Sequence, residues 1–139
     1  MFTTAVHPVD QYRYISAMTS VMQANPHQLV LLLYDGAIAA VLQARHALAT
    51  GDTATRLQTV SKAMRIIDEG LKIAVESRDD AALAGNMHAL YDHMVQRLLQ
   101  ANLHQSDEAL EEVNHLLGEL RSAWVEITPP GSPHASFQS

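Results

Sequence analysis

Between residues 106 and 127 a seam of apolar side chains runs through Leu110, Val113, Leu117, Leu120, Trp124 and Ile127, stepping 3, 4, 3, 4, 3. That is the period of a helix with one packed face. The same steps recur at Leu57, Val60, Met64, Ile67, Leu71 and Ala74, widened by Ala63, Ile66 and Ile73. A third segment carries Leu83, Met87, Leu90, Met94, Leu98 and Ala101, beside a mixed stripe of Tyr91, Val95, Leu99 and Asn102. The breaks between segments are only a few residues long, which makes successive helices antiparallel neighbours. The pattern predicts an all-α fold, an up-down-up-down four-helix bundle over residues 25–127. Its helices are expected at about 26–50, 54–77, 80–103 and 107–127.

The first of these helices is unlike the rest. Asn25-Pro26 is an Asx cap followed by proline at a position where its missing N–H costs nothing. From Leu29 to Leu42 only Asp35 and Gly36 are neither apolar nor aromatic. Three rows of the helix are apolar: Leu29, Leu33, Gly36 and Ala40; Val30, Ala37, Val41 and Ala44; and Leu31, Ile38 and Leu42. One bundle helix needs a stripe little wider than 100°. The surplus predicts a second partner for this helix, namely the N-terminal segment, a second copy, or a client helix in a groove.

The ends read differently. Residues 1–24 form an N-terminal segment whose stretch 9–24 is weakly amphipathic, with Ile15, Met18 and Met22 (or Val21) on one side, and predict a short helix or extended cap. Residues 128–139 are rich in Pro and Ser and predict a flexible tail. The start has no basic n-region or apolar h-region, so no secretory signal is expected. The longest unbroken apolar run, Leu29–Tyr34, is far short of a membrane span, so no membrane insertion is expected.

Chemistry is sparse. A chain of net charge −6 without a Lys/Arg cluster is not expected to bind nucleic acid. The absence of cysteine removes disulfides, thiolate metal sites and thiol nucleophiles. A di-iron bundle needs two Glu-x-x-His pairs facing inward; Glu112-x-x-His115 is the one instance, and Glu112 lies off the buried seam. His88 and His93 are five residues apart and point about 140° away from one another. No Gly-x-Ser-x-Gly elbow or phosphate-binding Gly-rich loop is present. The expectation is a protein without cofactor or metal that is not an enzyme.

Several stretches resemble the flagellar secretion chaperone family, FliS. They are Asn25-Pro-His-Gln-Leu29 with Leu33-Tyr-Asp-Gly-Ala37, and Lys62-Ala-Met-Arg-Ile-Ile-Asp-Glu-Gly-Leu71. Leu90-Tyr-Asp-His-Met94 with Arg97-Leu-Leu-Gln-Ala-Asn102, and the run from Glu111 to Trp124, continue the resemblance in order. Tyr12 stands where the family carries an N-terminal tyrosine. The family often has Ser or Thr before the proline, and Asn25 caps equally well.

The resemblance implies a cytoplasmic export chaperone. It would bind the C-terminal segment of unpolymerised flagellin, prevent premature polymerisation, and aid delivery to a flagellar export gate component. It also implies an N-terminal segment that caps part of that surface. The residues expected at the client surface are Leu31, Tyr34, Ile38 and Leu42 on the first helix, Ile66 and Ile73 on the second, and Tyr91 and Asn102 on the third. Tyr12 is assigned to the cap or the gate. The rival reading is a structural homo-oligomer or general adaptor; the expected state is a monomer or weak homodimer.

Overall fold

The computed structural model describes residues 25–76 and 80–127. Tyr12, the expected N-terminal cap and the C-terminal tail lie outside the described residues. Helix α1 is Pro26–Thr50. Helix α2 is continuous through three parts: Thr53–Ile66, a π turn over Ile67–Leu71, and Lys72–Glu76. Helix α3 is Ala81–His104 and α4 is Asp107–Glu126. Each packs beside its sequence neighbours, and α4 closes back on α1, giving the expected all-α four-helix bundle.

Short polar side chains set every start. Asn25, Asp52, Asp80 and Ser106 accept from the backbone N–H groups of Gln28, Thr55, Leu83 and Ala109 at 2.8–3.1 Å. Each cap satisfies an N–H that the helix leaves orphaned, worth about 1 kcal/mol. Gly51 ends α1 at φ 76, a left-handed conformation that suits glycine.

Small residues decide the spacing. Ala37, Ala40, Ala44 and Ala47 are all buried in α1, and Ala63 is buried opposite in α2. Where Gly70 lacks a side chain, Leu33 fills the space: a Cβ there would stand 3.0 Å from Leu33 Cδ2. Ile66 likewise comes to 3.4 Å of the Cβ position of Gly36. The small residues of the greasy helix therefore bring α1 and α2 together.

Helix α2 departs from the expected seam. The buried residues are Arg56, Thr59, Val60, Ala63, Ile67, Leu71 and Val75, whereas Leu57 is exposed and Met64 and Ala74 are half-buried. From Ala63 onward the buried positions step 4, 4, 4. In a regular helix each such step drifts about 40° from the seam. The π turn takes up one extra residue and cancels that drift.

By length and apolar composition alone α1 is long enough to cross a membrane, although its longest unbroken apolar run is short. The reason is that the apolar residues continue beyond Asp35. In the bundle, Val30, Tyr34, Ala37, Ala40, Val41, Ala44 and Ala47 are buried. Asp35 and Arg45 hold ion pairs to α4. A core helix meets the same composition test because it is packed by neighbours.

Candidate client-binding surfaces

Leu31, Ile38 and Leu42 fall together on the side of α1 that faces α4. Leu42 is 51% exposed, while Leu31 and Ile38 are half-buried. Two ion pairs bracket the row: Asp35 with Arg121, and Arg45 with Asp107 and Glu111. They fix the antiparallel register, which places Leu31 level with Val125, Ile38 with Gly118, and Leu42 with Asn114. Val125 is also 51% exposed. A shallow hollow lined by Leu42, Arg45, His46, Leu48, Ala49 and Asp107 continues the groove. The Arg45 hydrogen bond holds the Asp107 carboxyl below its ordinary pKa.

Tyr34 and Tyr91 are not on that surface. They are 1% and 2% exposed, and their hydroxyls share a hydrogen bond of 2.6 Å. This corrects their expected place at the client surface. Tyr34 lies on the side of α1 that carries Val30 and Val41, which the small residues draw into the core. Each hydroxyl satisfies the other, so two phenols are buried without an orphaned group. Burial raises both pKa values.

Both tyrosines also contribute to an apolar cavity of about 150 Å³ at the end of the bundle where α1 begins and α4 ends. Leu71, Val75, Met87, Leu120 and Trp124 complete most of its lining. Packing loosens there: Leu120 and Trp124 are half-buried and Ile127 is exposed, although all three belong to the α4 seam. Trp124 stacks on His27 at 5.2 Å and donates to its carbonyl at 3.0 Å. The cavity was not legible as such, because its residues come from four helices in positions that read as ordinary core.

The remaining expected residues scatter. Ile66 is half-buried against α1, and Ile73 is 57% exposed on α2. Asn102 is engaged within the chain: Arg56 Nη1 donates to its side-chain oxygen at 3.0 Å and its backbone oxygen at 3.1 Å. Arg56 itself is 5% exposed, a buried cation that the seam pattern missed. Leu57 of the expected α2 seam, Leu99 of the mixed α3 stripe and Leu103 are exposed.

The histidines take structural roles. His93 Nε2 stands 2.7 Å from Glu112, which also accepts from Arg97, and these bonds lower the Glu112 pKa, the His93 bond most. His115 pairs with Glu119, and His88 meets the Lys72 carbonyl and Glu76. Among the described residues no three His, Asp or Glu side chains converge as a metal would require.

The described residues form an all-helical bundle that keeps apolar rows outside its core. The chain matches the family model for flagellar protein FliS over residues 8–131. It is 43% identical over 130 residues to the flagellar secretion chaperone FliS of Salmonella typhimurium, covering 94% of this chain and 93% of that one. It is 37% identical over 124 residues to the flagellar secretion chaperone FliSB of Pseudomonas aeruginosa, covering 89% and 98%. With the FliS of Escherichia coli the identity is 36% over 115 residues, covering 83% and 85%. The chain belongs to the FliS family of flagellar secretion chaperones.

Proposed function

We propose that this protein is a flagellin-specific export chaperone acting in the cytoplasm. It holds the C-terminal segment of unpolymerised flagellin in apolar grooves, prevents premature polymerisation, and aids delivery to the export gate. The observation that carries this reading is the row of Leu31, Ile38 and Leu42 with Val125 opposite, apolar area held outside a complete core.

The energetics agree. Ordering a disordered client costs on the order of 2–5 kcal/mol. Burying one leucine-sized side chain returns roughly 1.5–3 kcal/mol, so a few such contacts offset it. Ile66 and Ile73 extend the surface round α2, and the apolar cavity accepts a client side chain. Residues 1–24, with Tyr12, keep the capping or gate-contact role that family membership supports; removing residues 1–20 then tightens client binding.

Calorimetry with a flagellin C-terminal fragment tests the reading. A 1:1 complex with a negative heat-capacity change is expected. Leu42→Asp should weaken it at least tenfold with little change in melting temperature. No binding of an intact C-terminal fragment overturns the reading. A concentration-dependent mass in sedimentation, with the α1 face buried, favours the homo-oligomer instead.

A further inference from the structure

The four helices do not close over the apolar cavity at the end of the bundle. Its volume is about 150 Å³, and two of the residues that line it, Leu83 and Ile127, are 40% and 41% exposed. Protein interiors rarely leave a void larger than a water molecule. The polar atoms around the cavity are already engaged: the Tyr34 and Tyr91 hydroxyls bond one another, and Trp124 Nε1 donates to the His27 carbonyl. A cavity of this size and character takes a benzene-sized apolar guest and gives a polar one no partner.

The chain beyond α4 starts at the rim of this cavity. Ile127 lines it and leaves the helix with extended backbone, φ −77 and ψ 121. Beyond it stand Thr128-Pro-Pro-Gly-Ser-Pro-His-Ala-Ser-Phe-Gln-Ser139, with Phe137 the one large apolar side chain. Pro130-Gly131 is a pair that fits the centre of a type II turn. A turn there sets residue 134 beside Ile127, and Phe137 then follows about 10 Å back along α4. That distance is about seven residues of helix, which is level with Leu120, another wall of the cavity.

We propose that Phe137 of the C-terminal tail seats its ring in this cavity, and that a client side chain entering the cavity has to displace it. The second half rests on the reading of the protein as a flagellin chaperone; the first does not. A phenyl ring matches the guest the cavity fits and carries no polar atom. Tyr12 and Tyr14, the aromatic residues nearest the start of α1, would bury an unpaired hydroxyl there. Tether length also favours Phe137, which is 10 positions beyond Ile127, whereas Phe2 is 23 positions before Asn25. The tail so acts as a built-in competitor. It shields the cavity from water in the free protein and lowers the apparent affinity for client until the ring leaves.

Phe137→Ala tests this and alters no helix. In the whole chain, labelled at its phenylalanine rings, Phe137 should show NOEs to the methyl groups of Leu120 and Met87. Benzene should shift those methyl signals strongly in Phe137→Ala and little in the native chain. The variant should also bind a flagellin C-terminal fragment about threefold to tenfold more tightly.

No NOE from Phe137 to the cavity, or equal benzene shifts in the two proteins, overturns the inference. So does a cavity that opens to benzene on removal of residues 1–20 but not on Phe137→Ala, since the N-terminal segment is then the occupant. NOEs that arise only between copies of the chain, in a mixed labelled and unlabelled sample, overturn it in favour of a second copy. Unchanged fragment affinity in a variant whose cavity has opened to benzene overturns the displacement alone. A fragment that binds neither protein overturns the flagellin reading and the displacement with it, while the NOEs and benzene shifts still decide the seat of Phe137.

Discussion

The hydroxyls of Tyr34 and Tyr91 stand 2.6 Å apart inside the bundle and join α1 to α3 across its diagonal. Because each is the other's hydrogen-bond partner, the pair is strongly non-additive. Tyr34→Phe or Tyr91→Phe alone leaves one buried hydroxyl unsatisfied and should cost about 1–3 kcal/mol. The double variant removes both groups and should lose far less stability than the sum of the two single losses. Urea unfolding of the four proteins checks this; additive losses would show that the bond contributes no coupling.

The same pair sets an alkaline limit. Burial, the largest cause for both, raises each tyrosine pKa above the ordinary value of 10.0. A raised acid is held in its neutral form when folded. Its contribution is therefore present in full below pH about 10 and is lost as pH rises through the folded value. Melting temperature should fall above pH about 10, and less steeply in the double phenylalanine variant. An unchanged slope in that variant would place the alkaline loss elsewhere.

The bundle was legible because its signals are local. Cap residues, short breaks and 3–4 stepping of apolar side chains each act within one or two turns, and Asn25, Ser106 and the Leu110, Val113 and Leu117 part of the α4 seam hold as read. The placement of surface against core was harder. Tyr34 and Ile38 are four residues apart on one helix, yet the first is 1% exposed and the second lies in a groove. Their rows differ by little, and the decision comes from how closely α2 approaches, which Gly70 and Leu33 settle across 37 positions of chain. The unpartnered Asn114 oxygen is not legible in a sequence, because an orphaned acceptor exists only once its neighbours are placed.

The π turn in α2 absorbs one extra residue. Deleting Glu69, exposed within the turn, removes that residue and restores ordinary helical winding, so Leu71 and Val75 follow Ile67 at ordinary seam spacing and keep the face they share with Ala63 and Ile67. Both side chains stay in the core, where they are 1% and 6% exposed. The deletion should therefore leave a folded chain whose melting temperature is close to the native one, as should Glu69→Ala. A deletion variant that unfolds or melts far lower would show that the seam needs the extra residue.

Gly70 and Gly118 should respond oppositely to the same substitution. Alanine is favoured over glycine within a helix by about 0.5–1 kcal/mol. At Gly118 the added methyl meets nothing within 4 Å, so Gly118→Ala should gain that amount. At Gly70 the methyl would stand 3.0 Å and 3.3 Å from the two δ carbons of Leu33, a side chain packed against the core. Leu33 must yield by a few tenths of an ångström in a site already filled by α1, and overpacking of this kind costs about 1–3 kcal/mol. Gly70→Ala should therefore be neutral to destabilising. Urea midpoints at unchanged slope measure both; an equal gain at the two positions would show that α1 and α2 are not held at their closest approach by this contact.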